Sequence, residues 1–168
     1  MSYYLHKHSS SNIRSAYREW IPRLLNKNND VICFHSTLTF FQRKLINGKK
    51  RFIRDSIEKI MKRFVERLNR SIYGNAHKRY NKSIFSLVTI EYGANKDNVH
   101  AHLLLGFHKS RTNKEHIEEL ITKIINDTPM VNNRCESGVL ESPSDVRKWT
   151  NYIVKEAVNP FLLSLGNF

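Results

Sequence analysis

Hydrophobic positions along the chain follow two periods. Ile13, Tyr17, Trp20, Ile21, Leu24 and Leu25 recur at helical spacing after the Ser9-Ser10-Ser11 cluster, which predicts a first helix that Pro22 kinks or restarts. Val31 to Phe40 (VICFHSTLTF) is dense in β-branched and aromatic side chains and predicts a strand, followed by a polar turn around Asn47-Gly48. Ile53, Ile57, Ile60, Phe64, Leu68 and Ile72 mark one face of a long amphipathic helix that stops near Gly74. Ile84 to Tyr92 and Val99 to Phe107 read as strands, and the short connection Gly93 to Asn98 predicts that they pair antiparallel as a hairpin. A helix over Lys114 to Asn126, a strand within Asn133 to Glu141 and a last helix from Pro143 to about Ala157 follow. Ser142 is placed to cap that last helix, with Pro143 at its first position. The order αβαββαβα, uninterrupted by repeats or Pro-rich linkers, predicts one α+β domain over residues 1–168: a mostly antiparallel sheet flanked by helices.

Composition narrows the function classes. The chain has 168 residues, 40% of them hydrophobic, enough for a core of its own. No run approaches the roughly 20 apolar residues of a membrane helix, and MSYYLHKHSS lacks the apolar stretch of a secretion signal. A soluble, cytoplasmic protein is expected. Cys33 and Cys135 lie far apart and form no CxxC pair, which argues for reduced, structural thiols.

Charge changes the picture most. The net charge is +13, and residues 1–80 carry all of the excess, with 18 basic side chains against 5 acidic ones. Between Arg43 and Lys82 there are 14 basic and 3 acidic residues, a density that repels itself unless a polyanion neutralises it. Nucleic acid is the expected polyanion. Lys49, Lys50, Arg51, Lys59, Lys62, Arg63 and Arg70 are the candidate DNA-binding residues, several of them on the wet side of the long helix. A basic surface kept only for solubility is the competing reading.

The sharpest local chemistry is His100-Ala101-His102 inside an apolar strand. Alternation sends both imidazoles to one face and Val99, Ala101, Leu103 and Leu105 to the other, so two ring nitrogens can share a metal ion. The pattern is cheap alone: roughly 0.4 such matches are expected by chance, and His6-Lys7-His8 is a second one in a polar context. If Tyr92 pairs with Val99, Glu91 falls opposite His100 on the histidine face and supplies a carboxylate, whereas a one-residue slip removes it. A hairpin whose His and Glu only hydrogen-bond each other fits the same residues. On the last helix, Val146, Trp149, Ile153 and Ala157 form the apolar stripe, and Tyr152 lies roughly 100° from its centre, beside Asp145, Lys148 and Lys155. A phenol there, one turn before a lysine, suits a nucleophile whose high pKa is met by a cation, and it also suits a boundary tyrosine with a half-packed ring.

Together, the HAH strand, the upstream Glu91 and the later Tyr152-Ile153-Val154-Lys155 resemble the HUH endonuclease superfamily, in particular its Rep-like rolling-circle replication initiators. The resemblance spans roughly residues 31–157. Ser36-Thr37-Leu38-Thr39-Phe40 resembles the family's first motif, and His100, Ala101 and His102 resemble its His-hydrophobic-His motif. It implies a five-stranded, ferredoxin-like or RRM-like catalytic domain with Glu91, His100 and His102 as ligands of Mg²⁺ or Mn²⁺, Tyr152 as nucleophile and Lys155 as its cationic neighbour. Ligand chemistry alone also allows Zn²⁺ or Fe²⁺. The implied reaction is nicking and joining of single-stranded DNA through a 5′-phosphotyrosyl link, initiating rolling-circle replication of a phage, virus or plasmid. The chain has no second tyrosine near Tyr152, which implies a single-tyrosine enzyme. It has no helicase domain after it, so a separate helicase and host replication proteins are the implied partners. A single-tyrosine transposase or relaxase would use the same site. A non-catalytic RRM-like binder would want stacking aromatics on its sheet, and a 2-His-1-carboxylate oxygenase would leave the charge and the Tyr/Lys pair unexplained.

Overall fold

The architecture is that of a computed structural model, and the residues it describes are 10–27, 29–40, 50–92, 99–128, 130–131, 135–156 and 161–165. The elements in order are α1 (Ser10–Asn26), β1 (Val31–Phe40), α2 (Lys50–Tyr73), α3 (Asn75–Tyr80), β2 (Phe85–Tyr92), β3 (Val99–His108), α4 (Lys114–Asn126), β4 (Glu136–Leu140), α5 (Pro143–Glu156) and β5 (Phe161–Leu165). The five strands form one antiparallel sheet in the order β4-β1-β3-β2-β5. Its first four strands, with α2 after β1 and α4 after β3, have the ferredoxin-like βαββαβ arrangement, and β5 extends the β2 edge.

Side-chain parity decides what lies on each face. Phe34, Leu38, Ala101, Leu103, Val88 and Ile90 point to one side and are covered by α2 through Ile57, Met61, Phe64 and Leu68 and by α4 through Ile117, Ile121 and Ile124. Cys33, Leu104, Phe85 and Leu87 point to the other side, under α1 through Ile21 and Leu25 and α5 through Val146, Ile153 and Val154. The second cover is partial. It reaches one half of that face and leaves the half formed by the end of β1, the end of β2 and the start of β3 open. Burial in the covered half pushes the Cys33 thiol up to about 12, so it stays neutral and serves packing.

Four sequence expectations differ from what is seen. The helix α1 does not restart at Pro22 but runs on through it, although the ring removes one backbone donor. Between the helix stop at Gly74 and the strand from Ile84, where no element was expected, Asn75–Tyr80 is a six-residue helix; it buries none of its residues, so it leaves no apolar period to read. The strand β5 was not expected, because a five-residue apolar run is too short to reveal its type. In α5, Val154 is fully buried beside Val146 and Ile153, which moves the apolar stripe by one residue. The turn at Asn47-Gly48, the Gly93 to Asn98 loop and Ala157 lie outside the described residues. Among the described residues no helix is long and apolar enough to cross a membrane.

Candidate active site

The open half of the sheet carries the polar residues. Thr37 lies opposite His102 and Thr39 opposite His100 across β1 and β3. On the other side of β3, Tyr92 pairs with Val99 and Glu91 with His100, the register that turns Glu91 to the histidine face. Glu136 of β4 pairs with Thr37 and adds a second carboxylate. A cavity of about 470 Å³ opens over these residues, and Trp149 and Tyr152 of α5 form its remaining wall.

Hydrogen bonds fix both imidazoles. His100 Nδ1 lies 3.0 Å from Thr39 Oγ1, and His102 Nδ1 lies 3.0 Å from Thr37 Oγ1. The two rings are near parallel, 6.2 Å apart. Glu91 reaches diagonally past His100, and its Oε2 sits 2.8 Å from His102 Nε2. A carboxylate only accepts, so the His102 Nε2–H donates to it and Nδ1 accepts from the Thr37 hydroxyl. Burial depresses the His102 pKa, while the Glu91 hydrogen bond and charge oppose that shift and His100 adds to it.

In this arrangement Glu91 and His102 close on each other, and among the described residues no three His, Cys, Asp or Glu side chains converge as a finished metal cage. The donor set nevertheless fits a divalent cation. A hydroxyl can donate or accept, so Thr37 and Thr39 can accept a hydrogen bond from Nδ1–H as readily as they donate one to Nδ1, and the Nδ1–H tautomer leaves each Nε2 lone pair free. Glu91 would supply the oxygen ligand.

Tyr152 reaches this cavity from α5. The helix starts at Ser142, whose Oγ accepts from the Asp145 N–H (3.2 Å) while Asp145 Oδ2 accepts from the Ser142 N–H (3.2 Å), a reciprocal cap. Two turns into the helix Trp149 donates its indole N–H to the carbonyl of Leu103 (3.1 Å), the residue next to His102. Its ring lies 5.3 Å from that of Tyr152, and Tyr152 in turn meets the His102 ring nearly at a right angle, 5.3 Å between centroids. Tyr152 is 47% exposed, so its phenol faces both the histidines and solvent.

The other sequence candidates are placed differently. Lys155 is exposed on the same helix but does not line the cavity; its carbonyl accepts from Arg14 Nη1 (3.4 Å). Lys59, Lys62, Arg63 and Arg70 are exposed on α2, behind the sheet and away from the histidines. Lys50 and Arg51 belong to the first turn of α2, with side chains outside the described residues, and Lys49 lies outside them altogether. His6 and His8 also lie outside them.

Sequence reasoning missed four contributors. Thr37 and Thr39 entered only as part of a motif; their period-two spacing, repeated by His100 and His102, was the available signal. Glu136 gave none without the sheet order. His35, two residues before Thr37, packs its ring against Trp149 at a tilt of 51°, 4.7 Å between centroids, and occupies room that Gly138 leaves, since a Cβ there would come within 3.1 Å of His35 Nε2. In comparisons with protein-family models, curated proteins and solved structures, nothing was found to match this chain.

Proposed function

We propose that this protein nicks and rejoins single-stranded DNA by transesterification at Tyr152, as a metal-dependent initiator of rolling-circle replication. The observation that carries the reading is the meeting of Tyr152 with His102, 5.3 Å between rings, in the one cavity that also holds Glu91 and His100. These four residues come from three elements, and no local sequence constraint ties Tyr152 to the hairpin that carries the other three. A half-buried hairpin alone does not require a phenol at that point.

In the proposed reaction, the Tyr152 oxygen forms a bond to phosphorus while the bond from phosphorus to the 3′ oxygen breaks. The phenolic proton ends on the departing 3′-OH, and the 5′-phosphate stays on the tyrosine. One phosphate ester replaces another, so a 3′-OH can reverse the step and join strands. A divalent cation, Mg²⁺ or Mn²⁺, held by Glu91, His100 and His102 would supply charge neutralisation at the phosphate oxygens. Trp149 holds the tyrosine's helix against β3, and Lys155, outside the cavity, adds positive potential one turn beyond the phenol. The α2 cations draw the polyanion in and serve DNA flanking the cleft, since they lie behind the sheet. A separate helicase and host replication proteins would complete initiation.

The test is to incubate the protein with single-stranded oligonucleotides and Mn²⁺, denature it in detergent, and look for protein carrying DNA. We expect an adduct from the unmodified protein, none from Tyr152→Phe although it still binds DNA, and loss of cleavage in the His100→Ala/His102→Ala double variant. A detergent-stable adduct on the Phe variant would remove Tyr152 from its role.

A further inference from the structure

The basic half of the chain also contains a short helix, α3, that takes no part in the cavity. After α2 ends, two residues of positive φ bracket α3, Gly74 (φ 54°) before it and the left-handed Asn81 (φ 51°) after it, and the short helix between them buries none of its residues. Residues 75–82, the α3 turn, include His77, Lys78, Arg79 and Lys82 and no acid. Tyr80 stands among them at 69% exposure, the most exposed large hydrophobic side chain among the described residues.

The turn is held firmly. The His77 ring bridges the Lys82 carbonyl (2.7 Å) and Glu66 Oε2 (2.7 Å), the Gly74 N–H donates to the Arg70 carbonyl (2.8 Å), and the buried Asn69 Oδ1 accepts from the Ile84 N–H (2.8 Å). Glu66, the nearest acid on α2, is engaged by His77 and Arg70, and does not offset Lys78 or Arg79. A flat, exposed ring framed by cations on a pinned backbone combines the two parts of a single-strand contact: charges that track phosphates, and an aromatic face on which a base stacks.

We propose that the α3 turn is a second binding point for single-stranded nucleic acid, in which a base stacks on Tyr80 and Lys78 and Arg79 hold the adjoining phosphates. It stands at the start of β2, whereas Glu91 stands at that strand's end. Six residues of strand separate Phe85 from Glu91, about 20 Å at roughly 3.3 Å per residue. The two points therefore engage one strand only when it is long enough to span that distance. The binding point does not depend on the proposed chemistry at Tyr152, and it gives the chain a grip on its strand that survives cleavage.

Anisotropy of a labelled oligothymidine of about 20 nucleotides, longer than the 4–16 that single-strand folds commonly occupy, tests this in a Tyr152→Phe background, where nicking cannot interfere. Tyr80→Ala should weaken binding by about tenfold, the effect of one lost stack, while Tyr80→Phe stays close to the parent. Lys78→Ala with Arg79→Ala should lower the slope of log affinity against log salt by about 1.4, that is about 0.7 for each phosphate contact. Unchanged affinity in Tyr80→Ala together with an unchanged slope in the double variant, both folded by circular dichroism, would overturn the proposal. A loss seen only with duplex DNA would overturn the single-strand assignment. Absence of a covalent adduct in the oligonucleotide test bears on Tyr152 alone and leaves this result standing.

Discussion

Thr37 shows how much a single hydroxyl decides at the centre of the cavity. It is the partner of His102 Nδ1, and His102 is almost completely buried, so no water can replace it cheaply. With Glu91 on Nε2, the imidazole is held at both ends, and the direction of the Thr37 hydroxyl selects which nitrogen carries the proton. A cation needs the Nε2 lone pair, so Thr37 must accept from Nδ1–H when one binds. Thr37→Val keeps the shape and removes that acceptor. We expect Mn²⁺ affinity, measured by calorimetry, to fall by about 10- to 100-fold with the fold retained, and Thr37→Ser to restore it. If the Val variant binds Mn²⁺ as the parent does, the hydroxyl is a packing group and the tautomer is set elsewhere.

At the scale of elements, α5 brings Tyr152 to the histidine strand β3, and its two anchors are separable. The Ser142 cap fixes where the helix begins, and the Trp149 indole fixes its distance from β3. Ser142→Ala should cost about 1 kcal/mol in urea unfolding, the usual loss for a cap, without altering the cavity. A loss near zero would mean that Asp145 and Pro143 suffice to start the helix. The cap was legible in sequence because Ser-Pro-Ser-Asp is a local signal, whereas the face of Glu91 followed from period two only once Tyr92 is paired with Val99, a register that a slip of one residue would undo. The side of the sheet on which each helix lies was not legible. Both α2 and α4 follow strands of the βαββαβ core and fall on the same face, so the basic stripe of α2 faces away from the histidines, although the sequence suggested that both serve one strand of DNA. Trp149 was legible as apolar, but its bond to the Leu103 carbonyl depends on two elements 46 residues apart and has no local trace. The α3 helix and β5 are too short, and α3 too exposed, for any period to register.

The whole molecule carries +13 in a domain of 168 residues, and its charge is sorted by layer. Behind the sheet, α2 is basic while α4 exposes Glu115, Glu118 and Glu119; in front, the cavity holds Glu91 and Glu136. Ion pairs such as Arg67–Asp127 (2.7 Å) and Lys114–Glu141 (2.7 Å) are solvent-exposed and worth about 0–1 kcal/mol each, too little to offset the repulsion of the uncompensated cations. Salt should therefore act with opposite signs on folding and on binding. Raising it from about 0.1 M to about 1 M shortens the screening length from roughly 10 Å to roughly 3 Å, relieves self-repulsion, and should raise the Tm of the free protein. For a domain of this size each kcal/mol gained corresponds to about 2–4 °C. At the lower salt, a single-stranded oligonucleotide at about 100 times its Kd should contribute about 2.7 kcal/mol of stability by mass action. At the higher salt that contribution should vanish, because every phosphate contact then competes with the counterions it would release. Scanning calorimetry with and without oligonucleotide at both salt concentrations measures all four states. A Tm that falls with salt in the free protein would mean that the exposed ion pairs outweigh the excess charge, and an oligonucleotide shift that persists in high salt would mean that the strand is held by stacking rather than by the basic half of the chain.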